Sequence, residues 1–238
     1  MLTHALGLVA AVLSVSLSWP QVYKSCVQRR TNGLSATACA LGVAMPFGWI
    51  TYGLLSGERI QVMTNTATGL AGLAILVALM VTQPSLRSGR ALLVAGGSAG
   101  AVAAAALLSL AAAALPGVTG GMAASVLGLT LASVSFVSAI PQPLALLRNR
   151  HMDISGLSPL RWRLAAGACG SWFTYGLLTG QPAVWSSALV GLVSAGIVVT
   201  VLHVRRERPV LTEADVVEVT RVCWRSSITT RNLAMAGV

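Results

Sequence analysis

Charged residues are scarce in this chain: Asp, Glu, Lys and Arg make up 9% of its 238 residues. A soluble domain contains about 25% charged residues, so this sequence has too few to cover the surface of a water-soluble fold. Apolar residues make up 55% of the chain instead. The composition excludes an ordinary soluble domain and predicts a membrane protein.

Long stretches of the chain contain no charged residue at all. A helix needs about 20 apolar residues to cross the hydrocarbon core of a bilayer, and the two longest charge-free runs hold two such helices each. Those runs divide at Pro116-Gly117 and at Gly180-Gln181-Pro182. The sequence predicts an all-α polytopic membrane protein with seven helices, at about 5–24, 37–56, 60–81, 91–115, 122–147, 162–179 and 183–204.

Acidic residues are the scarcest charged type, with six in the whole chain. Glu58 and Asp153 lie in predicted loops, and the other acids follow residue 205. Carriers that use a proton gradient commonly relay protons through intramembrane carboxylates or histidines. Because the predicted helices contain no acid, and because His4 and His203 lie only at helix ends, we expect no proton coupling.

Cysteines are also few, and Cys26, Cys39, Cys169 and Cys223 show no paired spacing. This pattern predicts neither a disulfide framework nor a metal site. The sequence has no clustered nucleophile, acid–base pair or metal-ligand set, so it argues against an enzyme. We expect no cofactor.

Basic residues give the chain a net charge of +10, but their positions argue against a nucleic-acid partner. All of the sixteen except Arg59 follow the first, third, fifth or seventh predicted helix. By the positive-inside rule this side is cytoplasmic. We therefore expect the N-terminus outside, the C-terminus in the cytoplasm, and insertion in the plasma (inner) membrane.

Two parts of the sequence repeat each other. The nine residues 49–57 return at 172–180 with seven identities, at an offset of 123. Upstream, Pro20-Gln21 returns as Pro141-Gln142, at an offset of 121. Membrane proteins with internal repeats place their sites between the repeats.

The duplication predicts how the chain is organised. Residues 5–82 and 122–204 would form two parallel three-helix repeats. A three-helix unit ends on the side opposite its start, so a linker helix at 91–115 is needed to restore the orientation of the second repeat. Residues 205–238 would form a cytoplasmic tail.

Trp and Asn residues within the predicted helices are candidates for a site. Trp49 and Trp172 lie mid-helix, where a Trp either packs in the core or offers a flat apolar face with an N–H donor. Asn65 is costly in a bilayer unless paired, so it either joins two helices or faces a wet cavity. Its equivalent in the second repeat is Ala188, so a site here has an asymmetric polar lining.

The repeated Pro-Gln motifs resemble the PQ-loop superfamily, and most closely its SWEET and SemiSWEET (MtN3/saliva) sugar transporters. Pro-Gln, a basic cluster and Gly-Leu-Ser follow in this order in both repeats, and residues 169–176 are very similar to the sixth helix of SWEETs. The resemblance implies alternating access, in which two three-helix bundles rock about helix prolines around a midplane pocket. A proline taken alone has a simpler interpretation as a structural kink.

Carried over by position, the resemblance implies a pocket and a set of hinge residues. The implied substrate-binding residues are Trp49, Asn65, Trp172, Ser187 and Ala188, the last in place of a second Asn that the family often has. The implied hinge residues are Pro20, Gln21, Pro46, Pro141, Gln142 and Pro159.

The expected function is facilitative transport (uniport) of a small neutral solute, a mono- or disaccharide. The expected partners are that solute and the lipid bilayer, with no nucleic acid, and a second copy of the chain stays open as a partner. Two alternatives also stay open. One is a carrier of the same fold for an amino acid or another metabolite, and the other is a membrane receptor or assembly protein that transports nothing.

Overall fold

The protein is helical throughout the part of the chain that the structure describes, which comprises residues 2–31, 34–83, 89–148 and 159–206 of a computed structural model. No strand occurs within these ranges. The helices are α1 (Leu2–Val22, continued by a π-helical turn at Tyr23–Val27), α2 (Ala36–Ser56), α3 (Arg59–Thr82), α4 (Gly89–Ala113), α5 (Gly120–Ala139), α6 (Pro141–Arg148), α7 (Pro159–Leu178) and α8 (Pro182–Arg206).

The described residues up to 201 belong to one compact unit, and the end of α8 from Leu202 onward belongs to a second. Of the second unit the structure describes only the end of α8. The predicted tail at 205–238 therefore lies almost wholly outside the described residues, and so does the second Gly-Leu-Ser motif at 156–158.

Apolar helices of membrane-spanning length confirm an all-α polytopic membrane protein. Six described helices are long and apolar enough to cross a bilayer: Leu2–Val27, Ala36–Ser56, Arg59–Thr82, Leu92–Ala113, Gly120–Ala139 and Pro182–Val204. The sequence predicts a seventh at 162–179, where α7 lies. Arg161 and Arg163 in the first two turns of α7 lower its mean hydropathy, so the seventh crossing stays a prediction.

Helix ends form in the same way in both repeats. Ser35 caps α2 by accepting a hydrogen bond from the backbone N–H of Ala38 at 3.4 Å, and Thr119 caps α5 in the same manner through Met122 at 3.2 Å. Gly57 follows α2 with a φ of 77°, a left-handed conformation that favours glycine. Its equivalent Gly180 follows α7 with a φ of 65°.

The two Pro-Gln motifs differ in their effect on the backbone. Pro20 lies inside an unbroken α1. The predicted single helix at 122–147 is wrong, because the helix is interrupted at residue 140, between α5 and α6. Pro143 lacks the N–H that would bond the carbonyl of Ala139 one turn back. The Ser194 hydroxyl of α8 donates to this carbonyl at 3.0 Å and so satisfies it.

Pro46 creates a close contact between α2 and α3. It removes the hydrogen-bond donor for the carbonyl of Gly42, four residues earlier. Gly72 of α3 approaches this freed carbonyl so closely that a Cβ on Gly72 would overlap it. A glycine is thus required at position 72 to bring the two backbones together.

The packing of the helices is reciprocal between the two halves. α1 packs against α7, and α5 packs against α2, so the first helix of each predicted repeat contacts the second helix of the other. α4 packs against both α2 and α5. The fully buried side chains of Leu127 and Leu131 centre this core.

Candidate functional site

A cavity of about 300 Å³ lies among the helices of both halves. α1, α2, α3, α5, α7 and α8 all contribute to it. All five substrate-binding residues predicted from the sequence line this one space. The described residues that line it are Ser14, Trp49, Gln61, Thr64, Asn65, Thr68, Ser135, Ala139, Cys169, Trp172, Val184, Ser187, Ala188 and Gly191.

The lining follows the internal repeat position by position. α3 contributes four residues and α8 contributes the four residues that lie 123 positions later. These pairs are Gln61 and Val184, Thr64 and Ser187, Asn65 and Ala188, and Thr68 and Gly191. Trp49 and Trp172 form a fifth pair at the same offset. Equivalent faces of equivalent helices therefore meet across the cavity, as a pseudo-twofold relationship requires.

The two Trp side chains differ in their hydrogen bonding. Nε1 of Trp172 donates to the Ser14 hydroxyl of α1 at 3.0 Å. Within the described ranges, Nε1 of Trp49 has no acceptor. Each ring packs edge-to-face against the Tyr one turn on, Trp49 on Tyr52 and Trp172 on Tyr175, with ring centroids 5.4 Å apart in both pairs. The tryptophans are thus held alike by their rings, but only one indole N–H is occupied.

Asn65 is fixed in the cavity wall by the residue one turn earlier on α3. Its Nδ2 donates to the Gln61 carbonyl oxygen at 2.9 Å and to Gln61 Oε1 at 3.1 Å. Only the NH₂ end of the Asn65 amide can donate to these two carbonyl oxygens, so Oδ1 points to the other side. Gln61 itself is buried, with 4% of its surface exposed.

A hydrogen-bond network joins the two halves at the end of the bundle that carries the α2–α3 and α7–α8 loops. The Tyr175 hydroxyl donates to Glu58 Oε2 at 2.5 Å, and Gln181 Nε2 donates to Glu58 Oε1 at 2.8 Å. The Tyr52 hydroxyl donates to Gln181 Oε1 at 3.2 Å. We call these four residues the loop-end network.

The loop-end network also obeys the internal repeat. Tyr52 and Tyr175 are equivalent residues, and so are Glu58 and Gln181, both pairs at an offset of 123. Each Tyr bonds the loop residue of the other half, and the two loop residues bond each other. Because the tyrosines lie one turn beyond Trp49 and Trp172, the network lies at the loop end of the cavity and joins the two halves there.

Sequence reasoning missed the loop-end network and most of the polar wall. The sequence predicts Glu58 only as a loop acid, and it does not single out Gln61, Thr64 or Thr68. A usable signal was present, because all three lie on the Asn65 face of α3 at helical spacing. The repeat offset that links Tyr52 to Tyr175 also links Glu58 to Gln181.

Four of the predicted hinge residues, Pro20, Gln21, Pro46 and Pro159, are not among the described residues that line the cavity. Gln21 donates from Nε2 to the Ser25 hydroxyl at 2.9 Å, beyond the exposed Pro20, and Pro46 packs near Gly69. Pro159 begins α7. For Pro141 and Gln142 the structure describes only the backbone, at the start of α6. The hinge role of all six residues stays a prediction.

The described part of the chain offers no group of three or more His, Cys, Asp or Glu residues that could hold a metal ion. Cys169 lies in the cavity wall, half-buried, where its sulfur occupies the space beside Gly191. Cys39 is buried and Cys26 is exposed, and both lie outside the cavity lining. The chemistry that the cavity offers is therefore hydrogen bonding and apolar contact.

Comparison with known proteins identifies the fold. No protein-family model matches the chain, and no curated protein matches it. Among solved structures, the chain is similar to that of a eukaryotic SWEET transporter, with a TM-score of 0.67. The similarity covers 84% of this chain and 95% of the transporter at 14% sequence identity. The chain therefore has a SWEET-like helical membrane fold.

Proposed function

We propose that this protein is a facilitative carrier for a small neutral solute, a saccharide, which it moves across a membrane by alternating access. The observation that carries the proposal is the cavity itself. Two Trp side chains and two equivalent helix faces from the two repeats surround one space of about 300 Å³. This volume is at the lower end of the range for small-molecule sites.

The chemistry of the lining supports a neutral, hydroxylated solute. None of the described residues that line the cavity carries a charge. A charged solute buried there would lack a counter-charge, which is costly at low dielectric. Indole rings provide flat apolar faces for the C–H surface of a sugar ring, and amide and hydroxyl groups provide partners for its hydroxyls.

The loop-end network supports a transport cycle rather than a static binding site. Glu58, Gln181 and the two tyrosines hold the two halves together on one side of the cavity by side-chain hydrogen bonds alone. Such bonds can break and reform as the halves rock, whereas a covalent link could not. Alternating access requires a barrier of this kind that opens on one side at a time.

Uptake by purified protein in liposomes tests the proposal. A panel of labelled monosaccharides, disaccharides and neutral amino acids should show time-dependent entry for at least one saccharide, and none for the amino acids. Asn65→Ala should reduce this uptake at least about tenfold, because it removes an oriented amide from the wall. The same variant should stay monodisperse, with unfolding close to that of the parent.

The matched control is Thr66→Ala, which truncates the neighbouring exposed residue on the opposite face of α3. Its uptake should equal that of the parent. Entry of amino acids without entry of any saccharide would show that the solute is an amino acid and not a saccharide. Absence of any uptake by folded protein would refute transport.

A further inference from the structure

The cavity has one wall rich in hydrogen-bonding groups and one wall that is nearly apolar. α3 provides two amides and two hydroxyls, whereas at the equivalent positions α8 provides a single hydroxyl, that of Ser187, beside Val184, Ala188 and Gly191. At these four pairs of positions the internal repeat has thus kept a cavity-lining face on both sides but most of its polarity on one.

Two atoms of the polar wall are left without a protein partner. Gln61 accepts a hydrogen bond through Oε1, and within the described chain its Nε2 has no acceptor, although 96% of the residue is buried. Asn65 uses Nδ2 for both of its bonds, so Oδ1 remains available. A buried amide N–H without a hydrogen-bond acceptor is costly. One ligand hydroxyl can satisfy both groups, because it can accept from Gln61 Nε2 and donate to Asn65 Oδ1.

Trp49 adds a third available group on the same half of the molecule. Its N–H lacks an acceptor in the described chain, whereas the N–H of Trp172 is occupied by Ser14. The first repeat therefore presents donors and an acceptor to the solute. The second repeat presents one indole ring with its N–H already bonded, Ser135 and Cys169 at the side, and the largely apolar wall of α8.

We infer that the preferred solute is a monosaccharide with hydroxyls along one edge and an apolar group on the other, that is, a 6-deoxyhexose. This inference rests on the proposed function and narrows its solute class. The hydroxylated edge contacts Gln61, Asn65 and Trp49, and the C5 methyl group lies against Val184 and Ala188. The hydroxymethyl group of an ordinary hexose would place an additional hydroxyl against Val184 and Ala188, whose side chains offer it no hydrogen bond.

Matched sugar pairs that differ only at C6 provide the test. Proteoliposomes containing the full chain are given D-glucose or 6-deoxy-D-glucose, D-galactose or 6-deoxy-D-galactose, and L-mannose or L-rhamnose. In at least one pair the 6-deoxy sugar should enter at least about tenfold faster at low concentration, a ratio in the range that a hydrophobic subsite gives for one polar group. Equal entry in all pairs, or faster entry of the hexoses, overturns the inference while the carrier function stands.

A substitution on the apolar wall tests whether α8 causes the preference for 6-deoxy sugars. Val184→Thr keeps the side-chain volume and adds one hydroxyl opposite Gln61, so the 6-deoxy to hexose ratio should fall several-fold. Ala188→Ser serves as a second variant if Val184→Thr does not fold. A folded variant of either kind with an unchanged ratio contradicts the placement of the methyl group. If no sugar of any pair enters while a disaccharide of the uptake panel does, the inference fails and the carrier function stands. If no saccharide of either set enters, the saccharide function itself is refuted.

Discussion

Glu58 and Gln181 are equivalent residues of the two repeats, and their side chains meet in a hydrogen bond of 2.8 Å between Gln181 Nε2 and Glu58 Oε1. The pair lies at the centre of the loop-end network, where Glu58 also accepts from Tyr175 and Gln181 from Tyr52. One carboxylate therefore takes two hydrogen bonds from the other half of the molecule. The stability of the closed end should depend on it.

Replacing Glu58 by Gln should weaken this closure. Hydrogen bonds to a charged group contribute about 1.5–3 kcal/mol, and a neutral amide retains only part of this. Since 1.4 kcal/mol is a factor of ten in an equilibrium constant, we expect about a tenfold larger open population. The measurement is the rate at which a polar maleimide applied from the loop side labels Cys169 in the cavity, with Cys26, Cys39 and Cys223 replaced.

Arg59→Gln is the control for the Glu58 variant, because Arg59 is the exposed neighbour and takes no part in the loop-end network. In this variant the maleimide should label Cys169 at the parental rate. An unchanged rate in Glu58→Gln would show that the network does not hold the loop end closed.

The two tryptophans should respond differently to loss of the indole N–H. Both Trp→Phe substitutions lose similar ring packing, but Trp172→Phe also breaks the bond to Ser14 and should lower the free energy of unfolding by about 1 kcal/mol more. Trp49→Phe breaks no described hydrogen bond, so it should be the less destabilising of the two while its solute affinity falls. Thermal unfolding and uptake are measured on both variants.

Ser14→Ala completes this comparison as a double-mutant cycle with Trp172→Phe. The two substitutions should be non-additive, because each removes the same bond. Additive effects would mean that the Trp172 to Ser14 bond contributes nothing, and equal destabilisation by both Trp variants would contradict the asymmetry of the cavity.

Gly128 should be intolerant of a side chain. A Cβ at this position in α5 would lie 2.5 Å from Ala183 Cβ and 2.8 Å from Tyr52 Cε2. Gly128→Ala should therefore destabilise the protein by about 1–3 kcal/mol through overpacking. At about 2–4 °C for each kcal/mol in a chain of this size, a thermal scan in detergent resolves the effect.

Gly100→Ala in α4 is the control, since no atom lies within 4 Å of a Cβ at that position. Alanine has the better helix propensity, so this variant should be as stable as the parent or slightly more stable. Parental stability of Gly128→Ala would show that α5 and α8 do not pack as closely as described.

The sequence predicts the position of the cavity well because helical geometry and duplication act together. Trp49 and Asn65 lie on adjacent helices, and the offset of 123 carries them to Trp172 and Ala188 on the matching helices of the second repeat. A residue's depth and face on a helix follow from local spacing. These residues line one space as a result.

Features that depend on how the two halves meet were not predictable in this way. The bond from Tyr175 to Glu58 joins residues 117 positions apart, and no local pattern specifies it. The hydrogen bond from Ser194 of α8, which satisfies the carbonyl of Ala139 at the junction of α5 and α6, is likewise a tertiary contact that no local pattern specifies. A local pattern shows where a proline can interrupt a helix, but the tertiary partner decides whether the helix bends or breaks.

Countertransport in proteoliposomes tests the central claim of uncoupled transport through this cavity most directly. Vesicles preloaded with an unlabelled sugar that the protein carries should take up the labelled sugar transiently above its external concentration, and Asn65→Ala should abolish this overshoot. With empty vesicles, a pH gradient should leave the final level of labelled sugar equal on both sides, since the described cavity lining contains no carboxylate or histidine. Sustained uphill accumulation driven by the pH gradient, or no overshoot for any saccharide, would contradict the account.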